Sequence, residues 1–296
     1  MIALLSLRPV SLVMDFDGST SFSRFRPSGV ISTQGDRVQD RNLSELGGKG
    51  LFTQEIEDGL IDKSIDIAVH SMKDMPTVLP DGLLIDCILE RVDPRDAFLS
   101  FKAASLAELP EGAVVGTSSL RRAAQVKLRR PDVKIVPFRG NVDTRLRKLE
   151  EGVADATLLA MAGLTRMGLT DRVTAPLSTD EILPAVAQGA VGVERRADDE
   201  EAAEALSLIH HVETGLRVTA ERALLRVLDG SCRTPIAALA EISGKRMSLR
   251  GMILTPDGAE VIETSRDGLA SDAGALGADA GEELKSRAGP HFFQTV

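Results

Sequence analysis

A reactive thiol is the first chemistry that the sequence offers. Cys232 lies in Gly-Ser-Cys-Arg-Thr-Pro, a polar turn with a cation beside the thiol, and a nearby positive charge with solvent access favours the thiolate. The other cysteine, Cys87, lies in the apolar run 83–89 and fits a buried structural residue. A nucleophilic cysteine normally needs a histidine partner, and no motif supplies one. Cys232 is therefore either a residue of a surface turn or a covalent attachment point.

Asp74 is a lone carboxylate at the end of another apolar run. The β-branched run 65–69 predicts a buried strand that opens onto the polar segment 70–76, which a proline ends. An aspartate in such a turn commonly caps the turn. The alternative is a carboxylate held among cations, where it can pass a proton or stabilise a cationic intermediate.

The basic residues are concentrated in one stretch of an acidic protein. The formal net charge is −9, yet residues 121–148 contain ten Lys or Arg against two Asp, a local excess of +8. Such a run is commonly a solvated helix face, but on a negative body it also suits a small polyanionic ligand. Because guanidinium groups pair with carboxylates in a bidentate manner, the candidate carboxylate ligands are Arg121, Arg122, Arg139, Arg145 and Arg166.

Alternating strands and helices must position these side chains. The pattern predicts strands over 113–116, 133–138 and 156–160, with helices over 120–130 and from 142 to about 151. This alternation is typical of βαβ units and a mainly parallel sheet. Ligands bind beyond the carboxyl ends of such strands. We therefore expect three polar turns to meet at one rim, two of them beginning helices that favour anions: Ser71–Asp74, Thr117–Arg122 and Arg139–Arg145.

The C-terminal third has a different pattern. A periodic helix over 211–228 precedes the Cys232 turn, and strands are predicted over 236–241 and 247–253. Residues 267–281 are rich in Gly, Ala, Ser and Asp, which predicts a loop before a last helix. This part is expected to be a small α+β domain.

Composition narrows the function classes. Two cysteines in 296 residues indicate a reducing compartment, and neither a secretory leader nor an apolar run of about 20 residues is present. No Cys/His cluster has metal-ligand spacing, so no metal is expected. The acidic charge and the absence of Trp and Tyr disfavour nucleic-acid binding. These features predict a cytoplasmic protein with a small-molecule partner.

Six segments, in order along the chain, resemble the porphobilinogen deaminase family. They are 47–52 (GGKGLF), 68–76 (AVHSMKDMP), 116–122 (GTSSLRR), 139–142 (RGNV), 184–189 (PAVAQG) and 230–236 (GSCRTPI). The match runs from about residue 31 to the C-terminus. Six motifs in register are far more specific than any one of them.

The resemblance implies an α/β fold of three domains, the first two arranged like a two-lobed type II periplasmic binding protein. Domain 1 would comprise residues 1–90 plus 189–207, and domain 2 residues 94–184. Domain 3, a small α+β domain over residues 211–296, would carry Cys232.

The resemblance also implies a monomeric transferase of heme and tetrapyrrole biosynthesis. It would polymerise four porphobilinogen molecules into hydroxymethylbilane, releasing ammonia each time, on a dipyrromethane cofactor joined to Cys232 by a thioether. Asp74 is the implied catalytic carboxylate, which stabilises an azafulvene cation. The implied cofactor-binding residues are Cys232, Ser71, Lys73, Thr117, Ser118, Ser119, Arg121, Arg122, Arg139, Gly140, Arg145 and Gln188. The implied substrate-binding residues are Lys49, Phe52, Arg139, Arg145 and Arg166.

Residues 1–30 depart from the family pattern. Family members begin with a strand and helix start that reads roughly Ile-Gly-Thr-Arg-x-Ser, whose Arg and Ser bind the cofactor region, and residues 1–30 contain nothing like it. Either the start is assigned wrongly or the chain is a divergent copy with a weakened first domain. A second function therefore stays open: a catalytically impaired homologue that acts only as an anion-binding protein.

Overall fold

The computed structural model describes residues 54–228, 234–289 and 292. Within these ranges the chain forms three β-sheets with flanking helices. The fold class is mixed α/β, as the sequence predicts.

The first two sheets and their helices occupy residues 54–207. In chain order the elements are α1 (Gln54–Ile61), β1 (Ile67–Ser71), β2 (Leu83–Ile88), β3 (Asp96–Ser100), β4 (Val114–Gly116), α2 (Leu120–Arg129), β5 (Lys134–Val136), α3 (Val142–Glu150), β6 (Ala156–Ala160), α4 (Met161–Arg166), β7 (Ala175–Pro176), β8 (Val191–Arg196) and α5 (Glu200–Ser207). A 3-10 turn over Met72–Asp74 follows β1 directly.

The first sheet has the order β1-β8-β2, and both pairings are antiparallel. The chain leaves this sheet after β2, builds the second sheet, and returns as β8, which lies between β1 and β2. Two crossing segments, 89–95 and 177–190, therefore join two lobes.

The second sheet has the order β5-β4-β6-β3-β7. Strands β5, β4 and β6 are parallel, whereas β3 and β7 run antiparallel to their neighbours. The prediction of a mainly parallel sheet holds for the βαβ part alone. Parallel neighbours need a long crossover connection, and the regular alternation of strand and helix covers only β4 to β6.

The third unit is an antiparallel meander of β9 (Ile236–Ser243), β10 (Arg246–Leu254) and β11 (Val261–Leu269), with α6 (Val212–Val227) and α7 (Ala273–Ala288). The predicted loop over 267–281 is wrong, because β11 continues to Leu269 and α7 begins at Ala273. The small residues serve helix packing instead. A Cβ on Gly277 would lie 2.0 Å from the Ala220 carbonyl oxygen of α6, so glycine permits this close approach.

Glu221 of α6 ties the third unit to both crossing segments. Its fully buried carboxylate accepts hydrogen bonds from Arg91 (2.6 Å) and from the backbone N–H groups of Ala187 (2.6 Å) and Ala240 (2.8 Å). Buried charges of this kind are stable only when their acceptors are satisfied. The division into three domains at the predicted residue numbers stays a prediction.

None of the helices in the described ranges combines the length and apolar character that crossing a bilayer requires. In the same ranges no cluster of His, Cys, Asp or Glu side chains is arranged to hold a metal ion.

Candidate functional site

The turn after β1 presents Lys73 and Asp74. Ser71 is the last residue of β1, so the strand ends two residues later than predicted. Met72 and Met75 are buried on either side of the turn, whereas Lys73 and Asp74 are half-buried. Apolar residues thus anchor the turn and leave its two charged side chains partly accessible.

The second turn uses its hydroxyl groups to build the start of α2. Ser119 is the N-cap residue, and its Oγ accepts a hydrogen bond from the Arg122 N–H at 3.4 Å. Thr117 Oγ1 accepts from the Ser119 N–H at 3.1 Å, and Ser118 Oγ accepts from the Phe138 N–H at 2.9 Å. These predicted cofactor ligands therefore fix a helix N-terminus, where positive potential favours anions.

The third turn begins α3 and carries two half-buried arginines, Arg139 and Arg145. Asn141 caps the helix by accepting from the Thr144 N–H at 2.8 Å. Arg145 Nε donates to the carbonyl oxygen of Gly140 at 2.9 Å, which holds the arginine over its own turn.

Asp96 was not predicted as a site residue, although its carboxylate holds several of the residues that were. Its fully buried carboxylate lies 2.8 Å from Arg121 Nη2 and 2.7 Å from Arg122 Nη2, and it accepts from Gln188 Nε2 at 2.9 Å. Burial alone would raise the pKa of Asp96, but Arg121, Arg122 and the Gln188 hydrogen bond hold it well below its usual range. Three predicted binding residues therefore converge on one carboxylate that starts β3.

Charged side chains of the turns in the two lobes influence one another. Burial lowers the pKa of Lys73, as do Arg122 and Arg121, while Asp74 and Asp96 oppose this shift. Burial also lowers the pKa of Arg145 to about 10, with contributions from Arg122 and Arg139 and an opposing one from Asp74. Asp74 thus acts on a cation from each lobe. The predicted single rim is wrong, because β1 belongs to the first sheet while β4 and β5 belong to the second.

Gln188 and Arg166 lie where the chain returns to the first lobe. The Gln188 amide nitrogen also donates to the Pro94 carbonyl at 2.7 Å, so this side chain joins the two crossing segments. Arg166 Nη2 donates to the carbonyl oxygen of Gly189 at 3.1 Å, and burial lowers the pKa of this half-buried arginine. The structure therefore gives both predicted ligands a place at the junction of the lobes.

Three predicted residues fall outside the described ranges, namely Cys232, Lys49 and Phe52. Their roles stay predictions. Cys87 is described: it lies in β2, is 1% exposed, and burial followed by the charge of Asp86 raises the pKa of its thiol. The expectation of a buried structural cysteine is confirmed.

The donors of the site fit a small molecule with several carboxylates. Lys73 and Arg145 have pKa values lowered by burial, so an anionic ligand would stabilise their charged forms. Two buried polar atoms, Arg121 Nε and Gln188 Oε1, have no hydrogen-bond partner among the described residues. A dipyrromethane bears acetate and propionate groups, which these cations match, whereas Gln188 Oε1 is an acceptor and suits an N–H group. Fold and site together define a two-lobed α/β protein whose lobes carry a cluster of cations around the half-buried Asp74.

Comparisons with known proteins identify the family. Residues 22–204 match the family model "Porphobilinogen deaminase, dipyromethane cofactor binding domain", and residues 215–286 match "Porphobilinogen deaminase, C-terminal domain". The chain belongs to the porphobilinogen deaminase family. It is an enzyme of tetrapyrrole biosynthesis, a transferase whose cofactor is dipyrromethane.

Curated relatives agree with this assignment. The porphobilinogen deaminase of Paracoccus denitrificans is 62% identical over 264 residues, which cover 89% of this chain and 84% of the relative. The chloroplastic porphobilinogen deaminase of Pisum sativum is 54% identical over 270 residues, covering 90% and 73%.

Solved structures align more weakly. A methionine-binding lipoprotein of Bacillus subtilis has a TM-score of 0.38 at 13% identity and covers 54% of this chain and 76% of that one. At this level the likeness supports no conclusion about the site.

Proposed function

We propose that this chain joins four porphobilinogen molecules into hydroxymethylbilane, with ammonia released at each addition, and that Asp74 and the surrounding cations carry the reaction. The observation that supports this assignment most directly is that the charge of Asp74 acts on a cation of each lobe, Lys73 and Arg145. When bound, the dipyrromethane would supply the free pyrrole carbon to which the chain of pyrroles is extended. Cys232 is its proposed attachment point.

Asp74 would act on the nitrogen side of the pyrrole. Asp74 is half-buried, and a carboxylate only accepts hydrogen bonds, so a pyrrole N–H can donate to it. A carboxylate at that atom stabilises positive charge that develops on the ring, and it accepts or returns a proton there.

The cations would bind the acidic substituents of the pyrroles and so fix the position of each pyrrole relative to Asp74. Lys73, Arg139 and Arg145 are proposed to bind acetate and propionate groups, as is Arg166 at the junction of the lobes. The two helix N-termini at Ser119 and Asn141 add positive potential on the same side. Lys49 and Phe52 would complete the substrate side. We further propose a monomeric, cytoplasmic enzyme without nucleic-acid or membrane partners.

Intact mass tests cofactor assembly. The purified chain should carry the extra mass of two pyrrole units, which Cys232→Ser should lose and the matched Cys87→Ser variant should retain. An unmodified chain that binds porphobilinogen without consuming it would favour the anion-binding homologue instead.

Turnover tests the role of Asp74. Asp74→Asn should keep the added mass but lose turnover by about 100-fold or more, within the range of a general acid–base group. A loaded Asp74→Asn variant with normal turnover would remove Asp74 from the mechanism. Light scattering after gel filtration checks the monomer.

A further inference from the structure

Helix α6 holds the backbone that immediately follows Asp74. Arg222 Nη1 donates to the Met75 carbonyl oxygen at 3.1 Å, and its Nη2 donates to the Pro76 carbonyl oxygen at 2.5 Å. Arg226, one helical turn further on, donates to the Thr77 carbonyl oxygen at 3.1 Å. Three successive carbonyl groups of the loop thus receive hydrogen bonds from one helix of the third unit.

Apolar side chains bury the same turn in the core. Met72 and Met75 belong to one buried cluster with Val218 and Leu224 of α6. Side chains on both sides of Lys73 and Asp74 therefore belong to the same apolar core as α6. The direct attachment of the turn to this helix is through its carbonyl groups.

Arg222 forms no ion pair with any described residue. Its guanidinium group donates instead to the two carbonyl oxygens. Burial and the neighbouring Arg226 lower the pKa of Arg222 to about 10. A planar guanidinium that bridges consecutive carbonyls fixes their separation as well as their direction. Such an arrangement suits a residue that holds the backbone of the turn in one position.

We infer that Arg222 is a positioning residue that sets the place of Asp74 through the carbonyl groups of Met75 and Pro76. This inference rests on the proposed role of Asp74. The helix that carries Arg222 ends at Val227, and Cys232 follows five residues later in the sequence. One helix therefore holds the turn of the proposed catalytic carboxylate and leads directly to the segment of the proposed attachment point.

Steady-state kinetics of the full, cofactor-loaded chain test the inference. Arg222→Gln should lower kcat by about tenfold or more, since small displacements of a reacting group reduce rate strongly, while KM stays within about twofold. Intact mass should show unchanged cofactor. Arg222→Lys, which supplies a cation without the planar fork, should fall between Arg222→Gln and the parent chain.

The matched control is Arg217→Gln, on the same helix. Arg217 pairs with Glu213 and makes no recorded contact with the turn, so kcat should be unchanged. A loaded Arg222→Gln variant with the parent kcat would overturn the inference, even if its unfolding temperature fell. If Arg222→Gln does not fold, the kcat of Arg222→Lys decides by the same criterion.

The two proposals fail in different ways. Normal turnover in Asp74→Asn would refute the role of Asp74 and the inference with it. Lost turnover in Asp74→Asn together with a normal kcat in Arg222→Gln would refute the inference alone.

Discussion

The Asp96 carboxylate holds Arg122 through two bonds to a single oxygen, with Nη2 at 2.7 Å and Nε at 3.2 Å from Oδ1. Its other oxygen lies 2.8 Å from Arg121 Nη2. One negative charge thus separates two guanidinium groups that would otherwise repel each other. Asp96, Arg121 and Arg122 together keep a net charge of one positive unit, which an anionic ligand can neutralise.

Removing the Asp96 charge should destabilise the fold. Asp96→Asn leaves two buried guanidinium groups without a counter-ion, and we expect a loss of about 3 kcal/mol in the free energy of unfolding. Urea denaturation measures this change. Asp93→Asn is the matched control, because Asp93 pairs with the partly exposed Arg95, two residues further along the chain, where such a pair contributes about 1 kcal/mol or less. Equal losses in both variants would contradict the special role of Asp96.

The interaction of Asp96 with Arg121 and Arg122 should also make the free energy of unfolding depend on pH in acid. The pKa of Asp96 is held well below its usual range in the folded state, so its contribution is fully present above the unfolded pKa of about 3.9. It is lost as the pH falls below that value toward the folded pKa. The stability difference between the parent and Asp96→Asn should therefore be constant from about pH 7 to 5 and shrink below about pH 4. A difference that grows in acid would have the wrong sign.

Arg145 should bind substrate carboxylates. Its pKa is lowered to about 10 by burial and by neighbouring arginines, and Arg145→Gln should raise KM about tenfold through loss of a charge-assisted pair. Arg147→Gln is the control, since Arg147 is largely exposed and faces Glu151. If the two variants have the same KM, Arg145 does not contact substrate.

Cys87 should be inert toward thiol reagents. Burial raises the pKa of its thiol, and the thiolate is the reactive form. In a Cys232→Ser background, N-ethylmaleimide should label the native chain at least about tenfold more slowly than the urea-unfolded chain, as mass spectrometry can follow. Fast native labelling would show that the strand opens readily.

The β10–β11 hairpin should be seated tightly on α2. Gly258 has a φ of +73°, and a Cβ there would lie 2.3 Å from the Ala124 carbonyl oxygen. Gly244, at the opposite hairpin, has a φ of +61° and no atom within 4 Å of its Cβ position. Both alanine variants carry the backbone strain, so Gly258→Ala should cost about 1–3 kcal/mol more than Gly244→Ala. Equal thermal shifts would mean that the hairpin moves away freely.

Local pattern predicted much of the regular structure. The strand over Ala156–Ala160 has its predicted bounds, and α2 and α3 begin at the predicted residues, Leu120 and Val142. Hydrophobic period and capping chemistry are properties of neighbouring residues, which is why they can be recognised in a sequence. The loop predicted over 267–281 was wrong because small residues serve close helix packing as well as turns.

Long-range partners could not be predicted in this way. Asp96 begins a strand in a segment that also contains Asp93, and nothing local shows which aspartate will meet Arg121 and Arg122 some 25 residues later. The contact of Arg222 with the turn after Asp74 spans about 147 positions. Only the tertiary fold brings such segments together.

The strand order of the first sheet, with β8 between β1 and β2, has a consequence for synthesis on the ribosome. The middle strand of the first sheet, Val191–Arg196, is translated more than a hundred residues after β2. Among the strands that the structure describes, β8 is the one that pairs with β1 and β2 in this sheet, so until it emerges their apolar faces stay uncovered by it while the whole second lobe is made. The second lobe, with its local βαβ connections, is therefore expected to fold first. The nascent first lobe is the part most exposed to chaperones and to aggregation.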